Sequence, residues 1–143
     1  MARQRMIKPE FWSDEKINEC SVGARLLFIA SWNFADDEGN LIRSSKQLKA
    51  QAFPYDNLDC EPLILELINH GLLTEYSFNG KNYLNIQNFK KHQQINRPSK
   101  PQCPLYEDSL RTHAEVIEIK EEKEKKKKSA EAVNILPQVE NRE

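Results

Sequence analysis

Along the first ninety or so residues, apolar positions recur at helical spacing and then give way to strand-like alternation. The longest helical pattern runs from Val22 to about Ala35. In it Val22, Leu26, Ile29, Ala30 and Phe34 follow the helical repeat, and Leu27, Phe28 and Trp32 widen the apolar face. A helix apolar over so much of its circumference is expected at the centre of a domain, with Ser21 as its N-cap. Residues 1–20 read as an arm in which Phe11 and Trp12 fold back onto the core, and Ser13-Asp14-Glu15-Lys16 marks a short capped helix. Asp36-Asp37-Glu38-Gly39 stops the long helix, and Asn40-Leu41-Ile42 forms one short strand. Ser44 or Ser45 caps a second main helix through about Ala52, and Pro54 restricts Phe53 and ends it. A third starts near Asp59, buries Leu63, Ile64, Leu67 and Ile68, and closes on Gly71.

From Leu73 to Phe78 the chain alternates as a strand, and Lys81 to Ile86 returns. Asn79-Gly80 between them supplies two residues that tolerate the positive φ of a type I′ turn. Helix, short strand, helix, helix, hairpin is the order of an α+β winged helix-turn-helix, three main helices plus a β-hairpin wing. The sequence places that domain, with its N-terminal arm, at residues 1–92, and a basic, Pro-containing linker and charged tail at 93–143. In the tail, Glu121/Lys125, Glu122/Lys126 and Glu124/Lys128 are i,i+4 pairs worth about 0.3 kcal/mol each, which favour a solvated helix from about Thr112 to Ala132. The scarcity of apolar residues there favours disorder instead, so the tail reads as partly helical or disordered.

Charge changes this picture more through its distribution than its sum. The 143 residues carry a formal net charge of −1, with 30% charged and 38% hydrophobic residues, which argues against a strongly basic nucleic-acid-coating protein. Yet no acidic residue lies between Tyr76 and Tyr106, while Lys81, Lys90, Lys91, His92, Arg97 and Lys100 do, and Arg3, Arg5 and Lys8 precede the first acid at Glu10. The tail run Lys125–Lys128 is offset by Glu118, Glu121, Glu122 and Glu124 and reads as a solvated linker. Cys20, Cys60 and Cys103 lack Cys-x-x-Cys or paired His spacing, so reduced thiols are expected rather than a disulfide framework or a zinc site. No apolar run approaches the roughly 20 residues of a membrane span, and no signal-peptide pattern opens the chain. A soluble protein of the cytoplasm, without a membrane partner, is expected.

No arrangement of nucleophile and base stands out, and no Gly-rich phosphate loop is present among four glycines. The expectation is a protein that is not an enzyme and uses neither cofactor nor metal. Asp36-Asp37-Glu38 has the composition of a divalent-cation loop, but a polar turn closed by Gly39 accounts for it, and His70 reads as a surface or cap residue. The residue types suited to double-stranded DNA fall in groups. Arg43, Lys46, Gln47 and Lys49 lie on or before the second main helix, and Lys81 follows the wing turn. Lys90, Lys91, His92, Gln93, Asn96, Arg97 and Lys100 follow the wing, and Arg3 and Arg5 lie in the arm. Lysine and arginine neutralise phosphates, while Gln, Asn and Arg also read base edges. The third helix carries Asp59, Glu61 and Glu66 and no Lys or Arg. DNA contact is therefore expected from the second helix, the wing, the post-wing run and the arm, with the wing's second strand delivering Lys90–Lys100 to one side of the domain.

Several blocks resemble phage-encoded replication initiation, or replisome organiser, proteins. They are Met1-Ala2-Arg3-Gln4-Arg5-Met6-Ile7-Lys8-Pro9-Glu10-Phe11-Trp12, Ala24–Ile29, Trp32–Gly39, Leu48–Asp56, Tyr83–Gln93 and Ile95-Asn96-Arg97-Pro98, in order over roughly residues 1–101. The resemblance implies an N-terminal winged-helix domain that binds phage origin DNA in a bacterial host cell. Proteins of this group often continue into a second domain that contacts host primosome or helicase-loading proteins. Here a charged tail follows instead, and a shortened version or a regulator is expected. The alternative is a winged-helix protein-interaction module or small transcriptional regulator, with the acidic third helix facing a protein; homo-oligomerisation is compatible with either.

Overall fold

The computed structural model describes residues 2–110. A 3-10 turn at Pro9–Ser13 leads into α1 (Glu15–Asn18), α2 (Val22–Phe34), β1 (Asn40–Ile42), α3 (Ser45–Ala52), α4 (Glu61–Asn69), β2 (Leu73–Phe78), β3 (Lys81–Ile86) and the single turn α5 (Phe89–His92). The architecture is α+β. Three antiparallel strands in the order β1-β3-β2 form a small sheet, and α2 packs against both α3 and α4. This order is compatible with a winged-helix-like fold.

The helices start where a side chain meets their first free amides. Asp14 accepts from Ile17 N, Ser21 from Ala24 N and Ser44 from Gln47 N, which fixes the first residue of α1, α2 and α3. Helix α4 ends in a paired cap. Gly71, at φ +72°, turns the chain so that its own amide reaches Ile68 O and the Leu72 amide reaches Leu67 O. At the wing tip both Asn79 (φ 52°) and Gly80 (φ 79°) are left-handed, the pair of conformations a type I′ turn needs. The register follows: Phe78 faces Lys81 and Leu73 faces Ile86, while β1 adds on the other side with Asn40 opposite Asn85 and Ile42 opposite Tyr83.

The core gathers Ala24, Leu27, Leu48, Cys60, Ile64, Leu67, Leu73 and Leu84, all almost fully buried. The phase of α2 differs from the sequence expectation. Its buried stripe is Ala24, Leu27, Phe28, Ser31 and Trp32, whereas Val22 and Leu26 are 65% and 52% exposed. A hydroxyl occupies the stripe because Ser31 Oγ donates to Phe28 O within the same helix, so the apolar residues alone indicate the wrong face. Phe11 folds back as expected and meets Trp32 edge-on, with ring centroids 5.4 Å apart, but Trp12 stays exposed.

The chain divides into two compact units, Met1–Tyr106 and Glu107–Glu143, so the first extends past the expected boundary at residue 92. Residues 93–106 join it because their backbone finds partners there. Ser99, Gln102 and Cys103 donate their amides to carboxylates of the α2–β1 loop, and Tyr76 Oη donates to Pro104 O. The segment Asn96–Pro101 contains no helix or strand, as its prolines require, and bends at Asn96 and Arg97. The tail helix expected at about 112–132 lies outside the described residues.

One close approach locks the loop before β1 to α5. At Gly39 (φ +82°) a Cβ would lie 2.6 Å from Phe89 Cβ, whereas at Gly80 (φ +79°) it would meet nothing within 4 Å. Gly80→Ala is expected to lower the unfolding free energy by about 1 kcal/mol, the left-handed strain alone. Gly39→Ala should lower it by about 3 kcal/mol, because displacement of Phe89 is added. Equal losses in urea unfolding would show that the Phe89 contact contributes nothing.

Candidate nucleic-acid interface

The sheet register separates the candidate DNA-contacting residues into two groups. Lys81 lies beside the wing tip, and the Arg43 amide donates to Asn82 O, which brings the start of α3 to that same end. Lys90 and all that follows leave from the far end of β3, where the Ile86 amide donates to Gly39 O. The five residue steps from Lys81 to Ile86 span about 17 Å. Arg43, Lys46, Gln47, Lys49 and Lys81 therefore form a wing-tip group. Arg3, Arg5, Lys90, Lys91, His92, Gln93, Asn96, Arg97 and Lys100 form a group at the arm. The wing's second strand carries the Lys90–Lys100 run away from the wing tip, because an antiparallel strand must end opposite its turn.

At the arm end, several of these residues are committed to the fold. Asp37, 2% exposed, holds Arg5 Nη1 at 3.1 Å and Arg3 Nη1 at 3.6 Å, and accepts the Ser99 amide at 2.7 Å. Arg5 also donates to the carbonyls of Trp32, Ala35 and Asp36, closing the C-terminal end of α2, and lies 4.9 Å from the centroid of the Phe89 ring. Its side chain is only 6% exposed. Arg3 adds a hydrogen bond to Ser99 Oγ. Gln93 clamps the arm by accepting from Met6 N and donating to Met6 O, both at 2.8 Å. Lys90 Nζ pairs with Glu38 at 2.7 Å. Lys91, His92, Asn96, Arg97 and Lys100 stay exposed.

The loop Asp36-Asp37-Glu38 is therefore a hub for internal donors. Asp36 Oδ1 accepts from the amides of Glu38 and Asn40, and Oδ2 from those of Gln102 and Cys103. Burial works to raise the Asp37 pKa, but the Ser99 amide, Arg5 and Arg3 outweigh it and hold the carboxyl below the usual range. Among the described residues no group of three or more His, Cys, Asp or Glu is arranged to hold a metal ion. Local sequence shows a polar turn here but not the hub, because the partners lie some 30 and 60 positions away.

At the wing-tip end, Arg43 is similarly committed. It grips Glu61 bidentately at 2.9 and 2.7 Å, and its Nε lies 3.1 Å from Glu75, tying the start of α4 to β2. The Glu61 hydrogen bonds raise the Arg43 pKa and lower that of Glu61. Glu66 of α4 is also occupied, accepting from Ser21 N and Ser21 Oγ. Two carboxylates of α4 thus serve the fold. Lys46, Gln47 and Lys81 are exposed and Lys49 is half-buried; among the described residues none of the three lysines forms an ion pair. Lys46 and Lys49 line a shallow groove of about 340 Å³ with Ser45, Leu58, Asp59 and Cys60.

Cys20, Cys60 and Cys103 are free thiols; burial raises all three, Cys103 to about 11. No helix among the described residues is long and apolar enough to cross a membrane. No protein family, curated protein or solved structure matches the chain.

Asp37→Asn preserves shape and removes the charge that compensates Arg5. It should lower stability at neutral pH by about 3 kcal/mol. Because the folded carboxyl is held low, its contribution is complete above the unfolded value near 4 and is lost as pH falls through the folded value. The gap between wild type and Asp37→Asn should therefore narrow below about pH 4. A gap that stays constant from neutral to strongly acidic pH, in unfolding followed by circular dichroism, would sink this account.

Proposed function

We propose that the chain is a winged helix-turn-helix protein that binds double-stranded DNA, with α3 and the β2–β3 wing tip against the phosphates, and that it acts at a phage replication origin. The observation that carries the reading is the set of lysines left over at the wing-tip end. Lys46, Lys49 and Lys81 meet no carboxylate partner among the described residues, while Arg43 beside them is spent on Glu61 and Glu75. Such lysines release counterions when they meet phosphates, and Gln47 between two of them is suited to a base edge. The element order supports the fold, and the sequence blocks that resemble replisome organisers support the origin role.

One observation favours a second reading, a protein-interaction module or small regulator. Helix α4 exposes Pro62, Leu65 and Asn69, with no Lys or Arg, so it presents apolar and amide groups where a phosphate-facing helix would present cations. The two readings differ in their response to salt.

Three phosphate contacts give a slope of log affinity against log salt of about −2.7, and each Lys→Ala change at 46, 49 or 81 should reduce its magnitude by about 0.9. Gel-shift titrations of the full chain at two salt concentrations, on phage fragments with and without an origin, measure this. Tighter retention of origin fragments supports the replication role. Retention that is unchanged in the triple Lys→Glu variant removes the assigned face, and absence of retention at low salt leaves the interaction module.

A further inference from the structure

At the arm end, away from α3 and the wing tip, a cleft of about 530 Å³ opens between residues 3–5 and residues 94–97. Arg3, Gln4, Gln94, Asn96 and Arg97 form its walls, and the Arg5–Asp37 ion pair lies among its lining groups. We propose that this cleft is a second site for a nucleic-acid backbone phosphodiester, separate from the one on α3 and the wing. The inference rests on the DNA-binding reading in one respect, since it takes a nucleic acid as the occupant.

Charge is the first argument. Three guanidinium groups, from Arg3, Arg5 and Arg97, face a single carboxylate, Asp37, so the cleft carries a surplus of positive charge. Asp37 faces Arg5 through Oδ1 and Arg3 and the Ser99 amide through Oδ2, and offsets only one of the three positive charges. Hydrogen-bonding capacity is the second. Gln4, Gln94, Asn96 and Arg97 are exposed, and among the described residues their side chains have no partner. Three carboxamides and a guanidinium thus converge with unused N–H donors, the groups that position phosphates and sugars in protein–DNA contacts. The lining of the cleft is almost wholly polar. Its one apolar lining residue is Ile95 and it holds no aromatic ring, so it offers no platform for stacking an unpaired base. Phosphate, rather than base, is the part of a nucleotide that these walls fit.

The walls are also fixed before any ligand arrives. On the arm side the Arg3 amide donates to Asn33 O at 2.8 Å, Asn33 Nδ2 donates to Arg3 O at 2.7 Å, and Arg5 is anchored on α2. On the other side Gln93 and Ser99 bracket residues 94–97 with bonds to Met6 and Asp37. A site held at both flanks loses little conformational entropy on binding.

The test is a titration of the isotope-labelled full chain with the thymidine dinucleotide dTpdT, which carries one internal phosphodiester, read by NMR. The side-chain amides of Gln94 and Asn96 and the Arg97 Nε–H should shift and saturate, and Arg97→Ala should weaken the response by about tenfold. The exposed Arg97 side chain makes no hydrogen bond or ion pair among the described residues, so that variant keeps its fold; Asn96→Ala provides an independent check. Saturable shifts that survive in the Lys46→Glu/Lys49→Glu/Lys81→Glu variant support a separate site, even if wild type fails to retain duplex DNA. The proposal is overturned if no shifts occur at the cleft or if Arg97→Ala responds like wild type. It is equally overturned if sodium sulfate at matched ionic strength produces the same shifts. Duplex binding that persists alongside any of those results leaves the α3 and wing reading intact.

Discussion

A carboxylate removed from water must have its charge met, and at Asp37 that requirement organises one whole end of the domain. The ion is almost fully buried, so it would be too costly to keep without cations and amide donors around it. Those partners come from two stretches at opposite ends of the domain's sequence: Arg3 and Arg5 from the arm and Ser99 from the segment after α5. Its neighbour Asp36 draws in the amides of Gln102 and Cys103 and, through Asn40, starts β1. Stretches far apart in sequence are thus fixed by one loop of four residues, and Gly39 at its end lets Phe89 pack directly against the backbone.

The same arrangement decides which charges face outward. In the sequence, basic residues fall on the arm, the second main helix, the wing and the post-wing run. Folding pairs Arg3, Arg5, Arg43 and Lys90 with the chain's own carboxylates. It also pairs acids, since Glu61 and Glu66 of α4 answer Arg43 and Ser21. The acidity that seemed to bar α4 from a phosphate-lined groove is therefore partly compensated by the chain's own donors. Beside the part-exposed Glu61, α4 exposes Pro62, Leu65 and Asn69, a surface without a cation.

Local structure was legible in the sequence wherever a single residue type solves a local problem. Ser21 and Ser44 as caps, Gly71 closing α4 and Asn79-Gly80 turning the wing all follow from short-range stereochemistry. Three features were not legible. The phase of α2 depends on a buried serine that bonds its own helix, which an apolar count passes over. The short turns at Pro9–Ser13 and Phe89–His92 are too brief to show a period. The extension of the first unit to Tyr106 rests on amides of the 99–103 segment meeting Asp36 and Asp37, over sixty residues earlier, and side-chain identity carries no sign of such a pairing. For the candidate site, residue types were readable but their grouping was not, because grouping depends on which end of β3 a segment leaves from.

The arm-end cleft shows why a buried acid belongs beside a site for an anion. Asp37 subtracts one unit of charge from a cleft that would otherwise hold three cations, which by Coulomb attraction alone weakens it for phosphate. Without that charge, however, Arg3 and Arg5 would have no common anchor, and the Ser99 amide would lose its acceptor. Three mobile cations attract an anion without orienting toward it, whereas two walls fixed by one internal ion pair present unused donors in a set geometry. Part of the attraction is thereby exchanged for preorganisation, and the cation left free by that exchange, Arg97, is the one with no structural duty to abandon when it binds.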